Sequence, residues 1–452
     1  MDNTAKNVKN DVAKHLLGQK IALTIGTLTL LGGLTVGGIY LANHQSEQST
    51  IVTNNADGSS ISLAEGKNKI ESGGTYTFTG TITNGKITVD TTDEVKIILQ
   101  DVSITNQEGA AIKCKEGSNV TIELVGDNTL TSTDKGDSTD DPAAVISSDG
   151  TLTIDGNGSA KLTGNGKGIK ADTSLSIKNG NYIITSTDDT IHSNNNIEIT
   201  GGNLTLDTSD DAIHADGILN VAGGTIKIEK SHEGIEANII NISGGEIDLT
   251  ADDDGINAQN SDGSSTIGVA GDGQLTISGG KIHVNSVGDG LDSNGKISIS
   301  GGEIYVDGPT NSGNSAIDCD GEINITGGTL VAVGSSGMAQ NATSATQPSV
   351  LINLSGNYAG TLTFGEISFT PAKNYQSILI SSSKLSVGQS YDLSINGNNV
   401  QSISISQNIV GQGGGMMGGG MSENMGGNMG NMPGGQMQNN AQNSQQSNRK
   451  QR

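Results

Sequence analysis

The sequence predicts an all-β chain wound as a parallel β-helix, a solenoid of coils about 22 residues long. A small C-terminal β cap, an N-terminal transmembrane helix and a disordered C-terminal tail are expected to flank it. Three observations point to this. Gly-Gly pairs recur at a fixed step. Short alternating apolar runs sit on both sides of each pair. Aromatic residues, which would fill an ordinary core of this size, make up only 2% of 452 residues, and Trp is absent.

The repeat governs the rest. Aligned units include Ser174–Ser193, Asn196–Ala215, Leu219–Ala237 and Ile240–Ala258, then Leu275–Ser293, Ile297–Gly308 and Ile323–Gly334. Their shared form is apolar-x-apolar-x-x-Gly-Gly-x-apolar-x-apolar, a polar stretch, then Gly/Ala-Ile-polar-Ala/Ser. The second glycine falls at 180, 202, 224, 245, 280, 302 and 328, in steps of 22, 22, 21, 35, 22 and 26. Period-2 alternation over three to five residues predicts short strands. A Gly pair predicts a tight turn with positive φ. Three such strands per coil, without a 3.6-residue period, predict stacked coils whose Ile, Leu and Val form inward ladders. A weaker pattern carries the solenoid upstream, giving boundaries of 57–345. Residues 134–142 read as a loop inserted between coils. Residues 346–410 stay strand-like without the period, so they predict the β cap.

The ends read differently. Residues 1–20 carry Lys6, Lys9, Lys14 and Lys20 as a basic cytoplasmic segment. Ile21–Ala42 has no charge and is long enough to span a bilayer as a signal-anchor. Tyr40 occupies a position where a signal-peptide cleavage site needs a small residue. The expectation is a chain on the extracellular face of the membrane, or secreted if cleaved, with 43–56 as a linker. Residues 411–452, rich in Gly, Met, Asn and Gln, read as a disordered tail.

Net charge is −24 and the only arginines are Arg449 and Arg452, which excludes a nucleic-acid ligand. Cys114 and Cys319 read as small buried thiols rather than a disulfide framework.

The polar stretch of each coil carries acids in register. Asp189, Asp211, Glu233, Asp254 and Asp289 follow steps of 22, 22, 21 and 35, the same as the glycines. Three residues later come His192, His214, Glu236, Asn257 and Asp292. Residues 188–320 hold 23 Asp and Glu against four Lys, so the coils place like charges in one column. Two carboxylates about 4.8 Å apart repel by roughly 3 kcal/mol at an effective dielectric of 20. Protonation relieves this through raised pKa values, and so do bound cations. Carboxylates, Asn and turn carbonyls are hard oxygen donors suited to Ca²⁺. A merely solvated acidic face would not keep its acids at one repeat phase. His192, His214 and His232 read as a polar ladder beside the acids rather than as transition-metal ligands.

The Ile-x-Ser-Gly-Gly-Glu/Lys-Ile coils followed by Asp-Asp-x-Ile-His/Asn resemble bacterial surface proteins of the carbohydrate-binding domain-containing family. The resemblance spans roughly residues 57–410. It implies a right-handed parallel β-helix akin to polysaccharide lyases, calcium in the coil turns, and adhesion to polygalacturonate and cellulose. Transferred to this chain, the calcium ligands are Asp188, Asp189, Asp210, Asp211, Asp216, Glu233, Glu236, Asp253 and Asp254. The register reading adds Asp289 and Asp292.

The leading functional expectation is therefore a non-catalytic module that holds acidic polysaccharide through Ca²⁺. The scattered solenoid aromatics Tyr76, Phe78, Tyr182 and Tyr305 offer little platform for crystalline cellulose. A calcium-dependent lyase is the alternative. Lys170, at the ladder position one coil before His192, is its one base candidate. Hydrolysis by paired carboxylates and a purely structural adhesin stay open.

Overall fold

The protein is described by a computed structural model covering residues 49–53, 59–134, 144–264, 266 and 269–411. The expected basic segment, signal-anchor, nearly all of the inserted 134–142 loop, much of the linker and all but the first residue of the tail lie outside the described residues. Among the described residues there is no helix, and none that could cross a membrane.

Three parallel ladders build a β-solenoid of about 13 turns. The first ladder stacks three-residue strands such as Ile169–Ala171, Ile191–Ser193 and Ile256–Ala258. The second stacks strands such as Ser174–Ile177 and Asn196–Ile199, and the third strands such as Asn181–Thr185 and Asn203–Asp207. Equivalent residues pair directly, so Leu175, Ile197 and Leu219 lie on top of one another. Alternation then sends every second residue inward, and one buried apolar cluster runs from Val52 to Leu379. The period survives the longer 35-residue step, since Ile239 pairs with Gln274 in the second ladder. Ile256 still pairs with Leu291.

The Gly-Gly turn has two separate causes. Gly202 takes φ 91°, in the left-handed region. Gly201 faces the turn of the preceding coil, where an added Cβ would stand 2.4 Å from the Lys178 carbonyl. Only glycine lets the two turns approach closely enough for Asn203 N–H to donate to Gly180 O at 2.8 Å.

After the coils the direction of pairing changes. Thr329–Gly334, in the third ladder, pairs antiparallel with Tyr375–Ser382, which pairs antiparallel with Ser349–Tyr358. A separate antiparallel sheet of Leu362–Phe364, Ile367–Phe369, Ser390–Ile395 and Asn398–Ser404 contributes to a second buried cluster around Phe364 and Tyr375. Cys114 and Cys319 are free and buried, as expected. Burial pushes their thiols up to about 12 and about 11, out of reach of thiolate chemistry near neutrality.

Candidate metal-binding ladder

The central residue of each first-ladder strand has buried neighbours on both sides, so it points outward. Register pairing carries this position through Lys113, Ser147, Lys170, His192, His214, Glu236, Asn257, Asp292 and Asp318. The column thus runs from basic through histidine to acidic along the solenoid.

Beside it stands the turn column of Asp189, Asp211, Glu233, Asp254 and Asp289. These carboxylates do more than face solvent. Asp211 N–H donates to Asp189 Oδ1 at 3.2 Å, and Glu233 N–H to Asp211 Oδ1 at 3.4 Å. Asp289 N–H donates to Asp254 Oδ1 at 2.6 Å, and Ser315 N–H to Asp289 Oδ1. Each carboxylate therefore ties its turn to the next coil, which explains why acids keep the glycine period. Asp189 is 2% exposed and Asp211 1%.

The column divides into two electrostatic stretches. In the first, basic side chains neutralise the acids. Lys167 Nζ lies 2.7 Å from both Asp188 Oδ1 and Asp189 Oδ2. His192 Nδ1 lies 2.8 Å from Asp189 Oδ2, and His214 Nδ1 3.1 Å from Asp211 Oδ2. Burial acts to raise the Asp189 pKa, but His192 and Lys167 outweigh it and hold the carboxyl well below the usual range. Burial likewise opposes charge on His214, yet Asp211, Asp216, Glu236 and Asp189 overcome it and raise the imidazole to about 11. Burial, and then the Glu233 carboxyl bonded to it, raise Glu236.

Lys167 is the functional residue that the sequence reading missed. Its signal was present, since it stands 22 positions before Asp189 and so occupies the ladder position one coil earlier.

The second stretch has no such relief. Burial raises Asp254 to about 8 and Asp289 to about 7, and it holds Asp292 well above and Asp318 above the ordinary range. The charged neighbours acting on these four groups are carboxylates: Asp253, Glu233, Asp320 and one another. The Oδ1 of Asn257, between Glu236 and Asp292 in register, is buried and has no hydrogen-bond partner. Carboxylate and amide oxygens of this kind are hard donors.

The structure brings the predicted ligands together in groups. Oxygens of Asp188, Asp189 and Asp210 lie within 4.8 Å of one another, as do donor atoms of Asp211, His214 and Glu236. Asp216 is half-exposed and reaches His214. Asp253 lies 3.8 Å from His232. Lys170, the candidate base, is bound to Asp172 at 2.9 Å with its side chain only 12% exposed.

A parallel β-solenoid with stacked coil-turn acids defines a repeat scaffold whose chemistry lies along one outer column. Residues 64–311, more than half of the chain, match the carbohydrate-binding domain-containing protein family, and the chain belongs to that family. A carbohydrate-binding domain-containing protein of Acetivibrio thermocellus is 37% identical over 139 residues, which are 29% of this chain and 48% of that protein. The chain thus spans about half the length of the curated relative it matches. A solved polysaccharide lyase-like protein from C. thermocellum, a gadolinium derivative, is 26% identical. That match covers 60% of this chain and 94% of the other, at a TM-score of 0.35.

Proposed function

We propose that this carbohydrate-binding protein holds acidic polysaccharide, of the polygalacturonate class, through Ca²⁺ on the second stretch of the ladder, without cleaving it. The observation that carries this reading is the set of half-buried, mutually repelling carboxylates Asp254, Asp289, Asp292 and Asp318. Asp253, at the turn beside Asp254, completes the oxygen donors. Bound there, Ca²⁺ supplies coordination positions that a uronate carboxylate can fill. Two of these donors are held in place, because Asp254 and Asp289 each accept a backbone N–H from the next coil. Asp188 and Asp189, already paired with Lys167, need a cation less. The reading extends to a chain displayed outside the cell by the 21–42 segment, with the C-terminal strands covering the end of the coils.

A non-catalytic role is supported by the surroundings of Lys170. A base in β-elimination must reach the proton beside the uronate carboxylate, whereas Lys170 lies against Asp172 and is largely covered.

The test is sedimentation of the protein with insoluble polygalacturonate, in calcium and in chelator, while recording ultraviolet absorbance from unsaturated product. Binding in calcium alone with flat absorbance is the expected result. Rising absorbance would make the protein a lyase and direct attention to Lys170→Ala. Absence of binding in both conditions would overturn the polyuronate reading.

A further inference from the structure

His283 lies on the outer face of the third ladder, in one column with Asp248 on the coil before and Tyr305 on the coil after. Both of its ring nitrogens meet carboxylates. Nδ1 is 2.8 Å from Asp248 Oδ1, and Nε2 is 3.0 Å from Asp307 Oδ2. An ionised carboxylate only accepts, so both contacts are hydrogen bonds when both nitrogens carry protons. The geometry is that of an imidazolium between two anions.

Asp307 alternates with the inward Ile304 and Val306, so its carboxyl points outward, yet the residue is 1% exposed. The chain at residues 369–373, from the C-terminal sheet, crosses over it. Ala372 N–H donates to Asp307 Oδ1 at 3.0 Å, and Lys373 Nζ donates to the Ser286 carbonyl. Phe369 rests against Tyr305, with ring centroids 5.0 Å apart, and meets His283 edge to face at 6.4 Å. This segment therefore ties the C-terminal strands to two neighbouring coils, and His283 stands at the centre of its contacts.

Loss of one proton from His283 alters that balance. A neutral imidazole has a single N–H to share between Asp248 and Asp307. Asp248 is exposed and can turn to water, whereas Asp307 is enclosed while the segment stays seated. In either arrangement the positive charge that offsets the enclosed carboxylate is gone. Lifting the segment returns Asp307 to water. The other charged groups on the surrounding strands are exposed and engaged with one another: Lys227 with Glu229, Lys281 with Glu246, and Glu303 with the Tyr305 hydroxyl.

Asp307, and then Asp248, raise the imidazole above its ordinary value against the effect of burial. Seating is thus favoured below the ordinary value of 6.5 and fades as pH rises through the raised one. Lys373 acts in the opposite sense. Burial lowers it to about 8, so its own deprotonation favours the seated segment.

We propose that residues 369–373 form a strap on the third-ladder face, latched by doubly protonated His283 and released from Asp307 when that histidine loses a proton. The latch is independent of the calcium reading, because none of its groups is a proposed ligand.

The test is hydrogen exchange of the peptide around Ala372, read by mass spectrometry from pH 6 to pH 10 in chelator and corrected for the intrinsic rate at each pH. The parent is compared with His283→Gln, which does not titrate. Both proteins keep Lys373 and the acid ladder, so the ratio of their protection isolates the histidine. The ratio should be about 10-fold or more at pH 6, as for one hydrogen bond to a charged group, and should fall toward one as pH rises. Asp248→Asn, at the exposed partner, should keep the fall and move it to lower pH, since one carboxylate favouring the charged ring is gone. That comparison stands by itself if His283→Gln fails to fold. A ratio that is constant with pH, or an Asp248→Asn profile that coincides with the parent, would overturn the latch. Exchange of the strand Ile169–Ala171 separates strap lifting from unfolding of the coils. It should match in all three proteins, and a parallel loss of protection there would also overturn the proposal.

Discussion

At the scale of single residues, the ladder shows how one repeat position serves opposite electrostatic roles. Lys167 and Asp189 are equivalent by period, yet one is the counter-ion of the other. Lys167 is largely buried and bonded to two carboxylates, so its removal would leave Asp189 enclosed with less compensation. Breaking such a pair from one side costs several kcal/mol in a dry interior. Here Asp188 stays half-exposed and His192 still faces Asp189. Lys167→Met is therefore expected to lose about 2 kcal/mol, read as a lower midpoint in urea unfolding. An unchanged midpoint would show that the two histidines neutralise this stretch by themselves. Stepping back one period from Asp189 was enough to find Lys167. Its pairing with Asp188 as well could not be counted out, because it depends on where the Nζ lands between two turns.

At the scale of the element, the Gly-Gly turn and the acid turn keep one phase for different physical reasons. The glycines allow backbones to approach, and the carboxylates accept amides across coils. Gly201→Ala tests the first. The new Cβ would meet the Lys178 carbonyl at 2.4 Å, and backbone cannot give way as a side-chain end can. The expected outcome is a loss of more than about 1 kcal/mol, with new protease cleavage near residues 178–203. The strands and their register were legible because apolar alternation and the 22-residue step agree. The antiparallel return of Tyr375–Ser382 onto Thr329–Gly334 was not. Nothing local to either strand encodes the direction of its partner. The link between Asp307 and the Ala372 N–H at 3.0 Å joins residues 65 apart, beyond any period in the sequence.

At the scale of the whole molecule, the two stretches predict how stability depends on pH and metal. Asp254 and Asp289 have folded pKa values near 8 and 7, far above an ordinary carboxyl, so the folded state holds protons that the unfolded chain releases. Metal-free stability is then greatest at low pH and is lost as pH rises through 7 and 8. The raised His214 works in the same direction, giving stability that is full below its ordinary value near 6.5 and fades toward about 11. The depressed Asp189 adds stability that is constant over this range and is lost only in strong acid. The melting temperature in chelator should therefore fall from pH 5.5 to pH 8.5, and millimolar Ca²⁺ should flatten that fall. Parallel curves with and without Ca²⁺ would remove the second stretch as the cation site.

Periodicity alone determined the solenoid, the glycine turns and the alignment of the acids. Stacked coils repeat an environment, so equal spacing in the chain becomes adjacency in space. Only the tertiary structure decided which carboxylates are neutralised and which are left to one another. That depends on how long side chains reach sideways between coils, and on how deeply each turn is buried. Lys167, His192 and His214 lie beside one stretch of acids, and no basic partner reaches Asp254, Asp289, Asp292 or Asp318 among the described residues.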